Sequence, residues 1–81
     1  MAVNIIPLHE LPLGGTGVVR NLLAQGSVRR RLLDLGLINN TPVQALLRSP
    51  VGDPVAYKIR GAVIALRSEE AQTIYVEPSE A

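Results

Sequence analysis

Glycine and proline punctuate this chain so closely that long regular elements have no room. Gly14, Gly15, Gly17, Gly26, Gly36, Gly52 and Gly61, with Pro42, Pro50 and Pro54, divide it into pieces mostly five to ten residues long. Glycine opens backbone conformations closed to other residues and proline withdraws a donor, so each marks a point where a helix or ladder tends to end. Pieces of that length suit short strands in a barrel or sandwich.

The pieces carry strand patterns of their own. Between Val55 and Arg60, the apolar Val55, Tyr57 and Ile59 alternate with Ala56, Lys58 and Arg60, a period of two with one face toward a core. Gly61 then turns the chain and Val63 to Leu66 returns as the hairpin partner, while Val43, Ala45 and Leu47 alternate with Gln44 and Arg48 in the strand before. Thr16 to Leu23 and Ile74 to Glu77 complete about five strands. The expected fold class is mostly β: a small barrel of about five strands, closed so as to hide its edges, with one or two short helices. With no internal repeat, low-complexity tract or linker, residues 1–81 are expected to form a single domain, apart from a frayed tail from Pro78 to Ala81.

One helix is predicted between the strands, with Ser27 as N-cap, Val28, Leu32 and Leu35 as its buried stripe and Gly36 as the left-handed cap. A second turn is expected near Ser68 to Thr73, with Ser68 as cap and Glu69 and Glu70 in its first turn.

Several classes of chemistry are disfavoured by what the 81 residues hold. There is no Cys, which removes disulfides, cysteine zinc sites and thiol catalysis and suits a reducing cytoplasm. No basic segment followed by a long apolar run opens the chain, and charged residues, Gly or Pro break every apolar stretch, so a water-soluble protein without membrane insertion is expected. His9 is the sole histidine, and with Glu10 it offers too few ligands for a specific metal site. No cofactor and no catalytic constellation are expected. Gly14, Gly15 and Gly17 lack the Gly-Lys-Ser or Gly-Lys-Thr of a phosphate loop, and Asp53 with Pro54 after Gly52 reads first as turn chemistry.

Charge is sorted along the chain although its net value is only +1. Seven cations between residues 20 and 60 face only Asp34 and Asp53, whereas Arg67 alone faces Glu69, Glu70, Glu77 and Glu80. An acidic protein surface, an anionic lipid surface and nucleic acid would each suit such polarity. The densest cluster, Arg29, Arg30 and Arg31, falls in the first turn of the predicted helix, where exposed N–H groups already make the field positive. Leu33 projects outside the predicted buried stripe. Either these residues form a docking face, or a loop covers Leu33 and the arginine stems cover apolar surface with their heads in water. Nucleic acid is disfavoured as the partner, because two Tyr and no Phe or Trp provide little to stack on.

A wider pattern joins these residues. Leu8, Glu10, Leu11 and Gly14, then Arg30, Arg31, Leu32, Leu33, Asp34, Leu35 and Gly36, then Gly52, Asp53 and Pro54, and finally Ala65, Leu66, Arg67, Glu70 and Ala71 occur in an order and spacing that resembles the ferrous iron transport protein A (FeoA) family. Where that family usually carries Pro-Gly after the helix, this chain has Asn39 and Asn40. The resemblance implies an SH3-like barrel in the cytoplasm, or at the inner face of the membrane through its partner. It implies a protein-interaction role assisting or regulating a membrane-embedded ferrous iron transporter that bears a cytoplasmic GTP-binding domain. Related domains also occur in iron-dependent regulators, which gives one alternative; a small-barrel nucleic-acid-binding module, suggested by the basic central segment, is another, and weak self-association stays open. Arg29, Arg30, Arg31, Leu33, Gly36, Asn39 and Asn40 are the expected partner-binding residues.

Overall fold

In a computed structural model that describes residues 4–79, the glycine- and proline-bounded pieces become nine short elements. Strand β1 (Ile6–Pro7) leads into a 3-10 turn (Leu8–Glu10) and strand β2 (Thr16–Leu22). Helix α1 (Gly26–Asp34) precedes β3 (Pro42–Arg48), β4 (Val55–Ile59) and β5 (Ala62–Leu66), and helix α2 (Ser68–Ala71) precedes β6 (Ile74–Ser79). All strands join one antiparallel sheet in the order β1-β6-β2-β3-β4-β5. The strand nearest the C-terminus thus lies beside β2, with Val19 opposite Val76 and Thr16 opposite Ser79.

This pairing adds two things to the expected five strands. Ile6 and Pro7 form a sixth, pairing with Val76 and Tyr75 on a segment too short to show alternation. Pro78 and Ser79, expected in a frayed tail, continue β6 against Gly17 and Thr16, while Glu80 and Ala81 lie outside the described residues. Among the described residues no ladder joins β1 to β5, so the small barrel carries no hydrogen-bonded partner on the outer edge of β5.

The sheet wraps a core built almost wholly of aliphatic side chains. Leu8, Val19, Leu32, Leu37, Ile59, Leu66, Ile74 and Val76 are sealed within it, and Tyr57 is its one aromatic. Tyr57 and Ile59 point inward as their alternation predicts. Leu47 does not follow Val43 and Ala45: a bulge between Ala45 and Leu47 shifts the register against β4, and Leu47 is turned 60% into solvent.

Helix α1 is fixed mainly at its C-terminal end. Gly36 adopts φ +100°, its N–H donates to the Leu33 carbonyl at 3.0 Å, and the Leu37 N–H donates to the Leu32 carbonyl at 3.1 Å. This is the Schellman closure, and its apolar pair, Leu32 with Leu37, is fully buried. The N-terminal end differs from expectation. Gln25, not Ser27, is the N-cap residue, with no side-chain cap, and Val28 is 42% exposed instead of buried because the first turn overlies an open groove beside Arg31, Pro54 and Ala65. In α2 the cap is Arg67, not Ser68, and the Glu70 carboxylate reaches back to accept the Arg67 N–H at 3.1 Å. Among the described residues no helix is long and apolar enough to cross a membrane.

Two stability measurements follow from these contacts. In Gly36→Ala the new Cβ would sit 2.7 Å from Arg60 Cδ, on a left-handed backbone. The expected loss is about 1–2 kcal/mol, read from the urea midpoint. Burial raises the pKa of the Tyr57 phenol, Asp53 adds to that rise and Arg48 opposes it. Above about pH 10 an unfolded phenol ionises while the native one keeps its proton, so the native state holds more protons and stability falls as pH climbs. Tyr57→Phe should flatten that alkaline decline in denaturation curves; an unchanged slope would assign it to other groups.

Candidate functional site

The three consecutive arginines of α1 have three different fates. Arg29 turns back toward the chain entering the helix, donating from Nη1 to the Leu22 carbonyl at 2.7 Å and the Ala24 carbonyl at 3.4 Å. A cation among helix N–H groups is unfavourable, but one held against two carbonyl oxygens offsets that field with their opposite dipoles. Arg31 pairs with Glu70 of α2 and so ties the two helices together. Arg30 is exposed and makes no hydrogen bond or ion pair among the described residues.

The other expected residues divide in the same way. Leu33 is 38% exposed, which leaves an apolar side chain at the surface. Gly36 is half-buried beneath Arg60 and serves the helix terminus. Asn40 takes φ +75° in the turn closed by the Thr41 N–H donating to the Ile38 carbonyl at 3.1 Å. Asparagine accepts this conformation more readily than most residues, so the turn forms without glycine at that position. The Asn40 side chain accepts a hydrogen bond from Arg20, which also bonds Glu77 at 2.9 Å. Asn39 stays exposed.

Arg29, Leu33 and Asn39 come together with Arg20, Leu22 and Ile38 around a cleft of about 190 Å³ between α1 and β2. Arg31 instead lines the groove on another side of the helix with Val28 and Glu70, and neither Gly36 nor Asn40 reaches the α1–β2 cleft. The cleft has one apolar member that periodicity missed. Ile38, 42% exposed, lies past the helix and outside any repeating pattern; its signal was a bulky aliphatic side chain placed immediately before a polar Asn-Asn turn. Arg20 was also missed, because a bulge between Val19 and Asn21 re-aims it toward Glu77 and Asn40.

The arrangement has groups suited to recognition. Leu33 and Ile38 can offer apolar anchors, Arg30 is a cation with no internal partner among the described residues, and Arg29 and Arg20 stiffen the surrounding walls. Among the described residues no group of three or more His, Asp or Glu side chains could hold a metal ion. Of the two tyrosines, Tyr57 is buried in the core and Tyr75 half-buried in β6, so neither supplies an open stacking surface beside α1.

Comparison with known proteins agrees with this architecture. A family model of the FeoA domain matches residues 6–78. A fusion of Fe(2+) transport protein A with the Fe(2+) transporter FeoB, from Porphyromonas gingivalis, is 33% identical over 70 residues, which is 86% of this chain and 8% of that protein. The chain therefore spans a small part of that relative. The structure of a FeoA-like protein from Clostridium acetobutylicum superposes with a TM-score of 0.88 at 31% identity, covering 100% of this chain and 93% of the other. FeoA of Stenotrophomonas maltophilia, solved with zinc and described as an SH3 domain protein, gives 0.77 at 32% identity, covering 86% of this chain and 87% of the other. The fold is SH3-like.

The unequal roles of the arginines give a direct measurement. Arg29→Ala leaves the Leu22 and Ala24 carbonyls without their donor and should cost about 1–2 kcal/mol. Arg30→Ala should stay within about 0.5 kcal/mol of the wild type. Equal losses in denaturant titrations would mean that the Arg29 contacts do not anchor the helix entry.

Proposed function

The chain belongs to the FeoA domain family, and on that premise we propose that it serves ferrous iron transport as a docking module, with the α1 face as its contact with the transporter. It acts by binding and carries out no chemistry itself. Its partner is the cytoplasmic GTP-binding part of a membrane-embedded ferrous iron transporter, which places the domain in the cytoplasm at the inner face of the membrane. The observation that carries this reading is the α1–β2 cleft, where Leu33 and Ile38 remain exposed beside guanidinium groups fixed by the fold. The P. gingivalis relative lends support: there a FeoA segment and FeoB share one polypeptide, so the two work in proximity.

Within this reading the expected contact residues have separate tasks. Arg30 and Leu33 meet the partner directly, with Asn39 and the newly placed Ile38 on the rim. Arg29, Arg31, Gly36 and Asn40 hold α1 and its following turn in position. An exposed apolar pair beside an unpaired cation fits a partner surface that offers an apolar recess edged by carboxylates.

Capture of purified protein by the transporter's cytoplasmic part tests the assignment. Arg30→Glu combined with Leu33→Ser should weaken capture at least about tenfold, or about 1.4 kcal/mol, with the fold retained. Val63→Ser on the open edge strand β5, where the side chain is 66% exposed, should leave capture unchanged. Undiminished capture by the folded α1 variant would refute this face as the contact.

A further inference from the structure

A second cleft, sharing no residue with the α1–β2 cleft, holds polar groups that the docking role does not use. About 190 Å³ in volume, it is lined by His9, Arg48, Gly52, Asp53, Val55, Tyr57, Leu66 and Ser68. Three of these groups lack an internal partner among the described residues. The His9 Nδ1 atom is buried with no hydrogen bond. Arg48 makes no ion pair among the described residues. Tyr57 is 1% exposed, and none of the hydrogen bonds among the described residues uses its hydroxyl. A buried polar atom without a partner is costly, so the His9 Nδ1, lining the same cleft as the exposed Arg48 and the Tyr57 hydroxyl, leaves it poised for an outside acceptor.

The frame around them is held by its own contacts. The Ser49 hydroxyl donates to the Asp53 carbonyl at 2.8 Å, the Ser49 N–H donates to the Pro54 carbonyl at 3.1 Å, and the Ser68 N–H donates to Asp53 Oδ1 at 2.8 Å. Asp53 Oδ2 stands 3.8 Å from the exposed Arg67, a pair that solvent weakens and that leaves most of the Asp53 charge in place. The Tyr57 phenol, its pKa raised by burial, remains a donor at neutral pH.

We infer that this cleft binds a single carboxylate carried on a short apolar stem. The Arg48 guanidinium matches a planar carboxylate with its paired donors, and the Tyr57 hydroxyl and the His9 ring each add one more. Val55 and Leu66 line the same cleft and receive the stem. Asp53 on the rim repels a doubly charged group more than a singly charged one, which selects a carboxylate over a phosphate. The carboxylate comes either from a free small acid or from a glutamate side chain.

His9 is the only histidine, so its ring resonances report on the cleft without ambiguity. The full-length protein titrated with butyrate, and separately with a glutamate blocked as acetyl and amide, is expected to show saturable His9 shifts with at least one of the two. Butyrate as the tighter binder points to a free acid, and the blocked glutamate as the tighter binder to a protein side chain; both outcomes uphold the site. Arg48→Ala and Tyr57→Phe should each weaken binding at least about tenfold, while inorganic phosphate should bind more weakly than either carboxylate. Absence of saturable shifts with both ligands would overturn the inference. So would equal affinity in folded Arg48→Ala, or tighter binding of phosphate.

Discussion

The pairing of β2 with β6 is the constraint on which the rest of this fold depends. It joins residues 16–22 to residues 74–79, so residues 23–73 are enclosed between its two partners. Closing so long a loop costs entropy before any contact returns it, and no disulfide shares that cost. The return comes from Val19, Leu22, Ile74 and Val76, which the pairing brings into one aliphatic core. On β2's other edge, β3 then continues the sheet through β4 and β5. A chain ordered this way assembles largely through contacts distant in sequence, a topology that folds more slowly than local helix packing.

Helix α1 depends on that sheet for its existence. Nine residues do not make a stable helix in water, and this one lacks a side-chain N-cap. What holds it is a set of contacts reaching outside the helix: Arg29 on the carbonyls before it, Arg31 on Glu70 of α2, and Leu32 buried with Leu37 at the Schellman terminus. Each contact turns one part of the helix inward or sideways. Of the exposed residues that these contacts leave over, Arg30 and Leu33 are the ones the docking assignment uses.

Much of this was legible in the sequence wherever a side chain's fate is set by its neighbours along the chain. Tyr57 and Ile59 are buried as their period of two predicts, and Gly36 takes the left-handed conformation expected after Leu35. Legibility ended where a distant partner decides. Bulges after Ala45 and Val19 re-aim Leu47 and Arg20, and neither bulge has a local sequence signature. Ile6 and Pro7 form a strand only because Val76 and Tyr75 are there to pair with them. At the site, exposure of Leu33 followed from helical geometry, whereas its neighbour Ile38 could be placed only once the turn through Asn40 was seen.

The same distinction changes what the basic middle of the chain means. Read along the sequence, the cations suggest a broad positive field, yet the fold engages several of them internally. Arg20 is bound to Glu77 and Asn40, Arg29 to backbone carbonyls and Arg31 to Glu70. Arg30 on α1, Arg48 in the second cleft, and the exposed Lys58 and Arg60 lack such partners among the described residues. A field spread over many charges attracts anionic polymers with little regard to sequence, whereas single uncommitted cations beside apolar side chains discriminate by shape. The two proposed sites each use one such cation, Arg30 beside Leu33 and Arg48 beside Val55 and Leu66.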